Sequence, residues 1–194
     1  MTDPTATTIL DAVDRHGVLL VHDQVLVSVT SLVAGEPVKG SWWSHPMGKA
    51  IYNALGAIEE QVVTVKLIAG KQTLVARRLW PELVAVGAAG DPWQLSGLDE
   101  HTQELLATIT SGSGPVVVDK AQRKAAELLE RRLLVHVTDI HTGRGHHVKG
   151  YEDWAAWAAE RAVVPAADSA SARATFEAAV RALAPDGRVA RLPW

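Results

Sequence analysis

The feature that most constrains this chain is a pattern that occurs twice. Residues 9–23 (ILDAVDRHGVLLVHD) and 105–119 (LLATITSGSGPVVVD) each run from helical apolar residues, through glycine, into a short Val-rich strand ending in Asp. Each is followed by one or two helical segments. Two β-rich runs around a Gly-containing turn then close each half. Such a chain is read as α+β: two modules of helices with a β-hairpin, and a C-terminal helical extension.

The local signals support that order. Asp3 followed by Pro4 starts a helix with Ile9, Leu10 and Val13 inside, and Gly17 ends it. VLLVHD (18–23) reads as a strand. VLVSVTSLVAG (25–35) is β-branched yet ends in Ala-Gly, and is read as a helix. Ser44 is the expected cap of a helix with Pro46 in its first turn and Met47, Ile51, Leu55 and Ile58 as its apolar stripe. VVTVKLI and QTLVARRLW around Ala-Gly-Lys form the first hairpin, and WPELVAVGAA (80–89) a short helix. GDPWQLSG (90–97) is read as a boundary loop, with Ser96 and Asp99 capping the next helix. Asp119 and Gln122 cap a helix over 119–132, with Ala121, Ala125, Leu128 and Leu129 inward. LLVHVTDIHT and HHVKGYE around GRG form the second hairpin. Trp154 and Trp157 sit on one later helix, and Phe176, Val180 and Leu183 on the last. The expected divisions are a first module over 1–90, a second over 91–150, and C-terminal helices over 151–194.

Helix, strand, two helices, strand, wing, strand is the order of a winged helix, and the chain resembles a tandem of winged-helix modules over about 3–79 and 98–150. The second copy has a single helix between its first strand and its hairpin. The resemblance implies that the helix over 119–132, which precedes the hairpin at 133–150, enters a DNA major groove while the wing touches backbone or minor groove.

The formal charge of −3 argues against a nucleic-acid partner until it is resolved along the chain. Residues 61–81 hold Lys66, Lys71, Arg77 and Arg78 and no acid, a net +4. Residues 120–151 are also net +4, leaving −11 elsewhere. Two basic segments in an acidic envelope are compatible with one DNA-facing surface. The absence of Cys excludes disulfides, Cys-ligated metals and a thiol nucleophile. No apolar run approaches the roughly 18 residues of a membrane span. The N-terminal residues lack the basic start of a signal peptide, so a cytoplasmic location is expected.

The candidate DNA contacts are Lys120, Arg123, Lys124 and Arg131 around the 119–132 helix, Arg144 between two glycines at the hairpin tip, and Lys149. Cations of this kind neutralise phosphates or read guanine edges. Lys66, Lys71, Arg77 and Arg78 on the first hairpin are further candidates. In that hairpin, alternation places Val63, Val65 and Leu67 on one face and Thr64, Lys66 and Ile68 on the other. Each basic segment also reads as a solvated face.

GSWWSHP (40–46) has two readings. One is core packing with His45 capping a helix. The other is adjacent Trp42 and Trp43 stacking on an exposed base, with His45 meeting a phosphate at the helix N-terminus. His136, Asp139, His141, His146 and His147 are of ligand type but match no metal motif, so no metal and no cofactor are expected. The motifs G-x-S-x-G, G-x-G-x-x-G and H-E-x-x-H are absent.

The leading expectation is a non-enzymatic double-stranded-DNA-binding protein. Two alternatives stand beside it. One is a winged-helix protein-interaction module or homodimer, anchored by Trp93, Trp157 and Trp194. The other is a repair enzyme resembling DNA glycosylases, with Asp139 as the candidate base.

Overall fold

The structure, a computed structural model, describes residues 4–141, 147–184 and 191–194. The fold is α+β, with two three-stranded antiparallel sheets among the described residues. The chain divides into two compact units. One comprises Met1–Trp80 and Ala174–Leu192, the other Pro81–Arg173 and Pro193–Trp194.

The first unit begins with α1 (Pro4–His16), which buries Ala6, Ile9 and Val13 along one face. Gly17 follows at φ +81°, and a Cβ there would lie 2.9 Å from Leu79, so the chain turns here on glycine. Next come β1 (Val18–Leu20), α2 (Val29–Ala34), a 3-10 turn at Trp42–Ser44 and α3 (Gly48–Ile58). The hairpin consists of β2 (Val62–Lys66) and β3 (Gln72–Ala76). The strand order is β1-β3-β2, with Leu74 opposite both Leu19 and Thr64. Ile9, Leu19, Ile51, Ile58, Leu74 and Val75 are all fully buried in this unit. Phe176 and Val180 of the last helix, which spans Ser169–Leu183, are also buried.

Three local expectations are corrected in this unit. The helix expected over 25–35 is confined to 29–34. Asp23 Oδ1 accepts the amides of Val25 and Leu26 and turns the chain, and Ser28, extended at φ −146°, then caps α2. Ser44 does not cap α3. Its hydroxyl donates to the Ser41 carbonyl, and the helix starts at Gly48, which leaves Met47 exposed. Ile68 leaves the face it was assigned, because the hairpin tip coils into a 3-10 turn over Ile68–Gly70 that buries it. The Ala69 amide, in that turn, donates to the Arg191 carbonyl at 2.7 Å. Val63, Val65 and Leu67 share the buried face as alternation requires. The Asp3 cap lies outside the described residues.

The second unit contains α4, which spans Trp80–Gly87, then α5 (Pro92–Leu95), α6 (Glu100–Thr110), β4 (Val116–Val117) and α7 (Arg123–Arg131). A hairpin of β5 (His136–His141) and β6 (His147–Glu152) follows, and then α8 (Trp154–Glu160). The strand order β4-β6-β5 repeats that of the first unit. Leu98, Leu105, Ile109, Ala126, Leu129 and Tyr151 form the core beneath α6 and α7. The segment expected as a boundary loop contains α5, because the Asp91 amide donates to Gln94 Oε1 and Pro92 presets the first turn. Asp99, not Ser96, caps α6, accepting the Thr102 amide at 2.8 Å. Asp119 and Gln122 bond reciprocally as expected. They close a turn, however, and α7 starts only at Arg123, with Ala121 exposed.

Gly87 has a packing role. A Cβ there would overlap the indole of Trp154, which is fully buried and donates from Nε1 to the Leu133 carbonyl at 2.7 Å. The last helix of the protein, α9 (Ser169–Leu183), begins in this unit, where Arg173 and Ser169 both meet Asp91.

Candidate nucleic-acid interface

The second hairpin and the helix before it carry the cations that are least used internally. On α7, Ala125, Ala126 and Leu129 are buried, while Arg123, Lys124, Glu127 and Arg131 are exposed. At about 100° per residue the exposed four fall within an arc of about 100°. Lys120, in the turn ahead of the helix, is also exposed. Among the described residues, Lys120, Lys124 and Arg131 have no hydrogen-bond or ion-pair partner. Glu127 is the one acid within the stripe, so the face stays net cationic.

The neighbouring charges have structural tasks. Lys149 donates to Glu130 at 3.3 Å, tying β6 to α7. Arg132 donates to the carbonyls of Gln94 and Ser96 at 2.8 and 2.7 Å and so holds α5 in place. Burial of Tyr151, with Glu130 and Glu127 nearby, pushes its phenol above the usual range, which keeps it neutral. Arg144 lies outside the described residues.

The first hairpin is arranged differently, because its cations are engaged within their own unit. The Lys71 ammonium lies 2.6 Å from Asp23. The Arg77 guanidinium sits 5.2 Å over the Trp80 ring. Arg78 donates to the Asp14 carbonyl at 3.0 Å. Lys66 is half-buried at the end of β2, opposite Gln72.

GSWWSHP is not core. Trp42 and Trp43 stack with centroids 4.1 Å apart and planes inclined by 23°, and Trp43 is 65% exposed. Tyr52 of α3 continues the ladder at 5.7 Å and is itself exposed. His45 accepts the Met47 amide on Nδ1 at 3.2 Å, so its capping role is local. Beside Trp42 is a cleft of about 500 Å³ lined by His22, Asp23, Val25, Leu26, Lys71 and Gln72, among others. Burial opposes ionisation of Asp23, but hydrogen bonds from Lys71 and from the Leu26 and Val25 amides outweigh it. They hold the carboxyl below its ordinary range.

Sequence reasoning missed Asp23 and Tyr52. The signal for Tyr52 was its position off the 51, 55, 58 stripe. The repeat marks Asp23 as the end of a Val-rich run but not its role, because its partner Lys71 is 48 residues away.

The histidines do not assemble a metal centre among the described residues. His136 is buried and bonded to Glu152 at 2.8 Å, and it packs against the rings of both Trp154 and Trp157. Asp139 is exposed on β5 opposite Lys149. His146 and the side chains of His141 and His147 lie outside the described residues. Trp157 is fully buried and so is not an interaction anchor, and Trp93 packs against Trp194 at 5.6 Å.

Compared with known proteins, the chain matches no family model, no curated protein and no solved structure. No helix among the described residues is long and apolar enough to cross a membrane.

Proposed function

We propose that the chain is a non-enzymatic double-stranded-DNA-binding protein built from two winged-helix-like modules, with the α7 face of the second as its principal phosphate contact. The winged-helix part of this reading is supported by the helix–strand–helix–hairpin order of both units and by their shared strand order, β1-β3-β2 and β4-β6-β5.

The observation that carries the DNA reading is the contrast between the two basic segments. Lys71, Arg77 and Arg78 have partners inside the first unit. Lys120, Lys124 and Arg131 are exposed and uncompensated among the described residues. Ammonium and guanidinium groups left in water keep their full capacity to displace counterions from a duplex. The acidic remainder of the chain repels DNA, which disfavours contact outside the basic segments.

Equilibrium binding to a labelled duplex over a salt series tests the proposal. Three or four neutralised phosphates give a log–log slope of about −3. Absence of binding at low salt, or affinity indifferent to salt, contradicts it.

A further inference from the structure

The aromatic ladder of the first unit has no task in the duplex contact just described. Large aromatic side chains are ordinarily buried or nearly so. Here Trp43 is 65% exposed and Tyr52 52% exposed, in series with Trp42. The turn that carries the two indoles is closed by hydrogen bonds. The Ser44 amide and hydroxyl both bond the Ser41 carbonyl, the His45 amide bonds the Trp42 carbonyl, and the Gly48 amide bonds the His45 carbonyl. A Cβ on Gly48 would lie 3.0 and 3.1 Å from the Trp42 and Trp43 carbonyl oxygens, so the helix start lies close against the main chain that carries the stack. An exposed aromatic surface fixed in this way accepts a planar ligand at little ordering cost.

The cleft beside Trp42 supplies the rest. Its lining combines the indole with polar side chains of base-pairing type, among them His22, Gln24 and Gln72. Its volume of about 500 Å³ suits a nucleotide-sized ligand. The Lys71–Asp23 pair within it is asymmetric: the lysine side chain is 48% exposed and the aspartate 10%. The aspartate is also occupied by the Val25 and Leu26 amides. The pair therefore presents its positive end to solvent, where a phosphate would meet it.

We propose that this site takes an unpaired DNA base, stacked on the Trp42–Trp43–Tyr52 ladder with its phosphate at Lys71. The inference rests on the DNA-binding reading and deepens it: the favoured substrate is a duplex carrying an unpaired base. A mixed polar and aromatic cleft with a cationic rim fits a nucleotide better than an apolar peptide face.

The test uses the full chain and two labelled duplexes of the same sequence, one fully paired and one with a single bulged 2-aminopurine. The bulged duplex should bind about tenfold more tightly, with 2-aminopurine emission quenched on binding. Trp42 is the indole that lines the cleft, so Trp42→Ala should bring the ratio of the two affinities close to one, and Trp42→Phe should keep most of the preference. Lys124→Glu should weaken both duplexes and leave their ratio intact.

Equal affinity of the wild-type chain for both duplexes overturns the stacking site while leaving duplex binding standing. So does a preference that survives Trp42→Ala. Failure to bind either duplex overturns both readings. A wild-type dimer that Trp43→Ala converts to monomer in light scattering assigns the ladder to a second copy of the chain and overturns the stacking site.

Discussion

The Lys71 ammonium lies 2.6 Å from the Asp23 carboxylate, joining the tip of the first hairpin to the turn after β1. The same carboxylate accepts the amides of Val25 and Leu26, at 2.8 and 2.9 Å. One side chain thus both shapes the turn and holds the hairpin tip. Charge-assisted hydrogen bonds of this kind contribute more than the exposed ion pair alone.

Removing Asp23 should therefore be costly for a residue in a turn. Asp23→Ala is expected to destabilise the first unit by about 2 kcal/mol, since it leaves two amides and an ammonium without their acceptor. Urea denaturation checks this, and a change below about 0.5 kcal/mol would show that water replaces the carboxylate without loss.

The same site sets an acid dependence. The Asp23 pKa is lower in the folded chain than its ordinary value of 3.8. The folded state thus binds this proton less readily than the unfolded state, and the stabilisation is complete above the unfolded value. It is lost as pH falls through the folded pKa. Wild-type melting temperature should drop on going from pH 6 to pH 3 by more than that of Asp23→Asn, which has no proton to take up. Parallel curves for the two proteins would remove Asp23 from the acid response.

Gly87 and Trp154 make a steric prediction in the second unit. Gly87→Ala places a methyl group into a fully buried indole whose Nε1 is fixed by Leu133. The indole must shift or the helix must move, at a cost of about 3 kcal/mol. Guanidinium unfolding measures it, and a neutral result would show a loosely held Trp154.

His136 and Glu152 are both buried and bonded to one another. Removing one partner leaves the other's polar group unpaired, whereas removing both leaves none. Glu152→Leu alone should therefore cost about 3 kcal/mol, and the double variant with His136→Leu should regain part of it. Additive losses in the cycle would mean that the two groups do not depend on each other.

The element order of both halves could be read from the sequence because glycines and Val-rich runs are local signals. Val63, Val65 and Leu67 follow strand alternation in the same way. Other features depend on partners remote in sequence. The helix read over 25–35 is shortened to 29–34 because Asp23, held by Lys71, turns the backbone first. The core reading of the two tryptophans fails because the burial of a Trp depends on what packs over it, which the local sequence does not carry. Which cations are uncompensated was likewise invisible: Arg132 and Arg131 are adjacent and chemically alike, yet one holds two carbonyls and the other is exposed.

The most direct measurement for the central claim compares wild type with Lys124→Glu in duplex binding over a salt series. Lys124 is exposed on α7 and has no described partner, so the substitution leaves the fold intact. The account predicts weaker binding to every duplex sequence and a salt slope shallower by about one. Unchanged affinity and slope would place the DNA contact, if there is one, somewhere other than α7 and contradict the proposal.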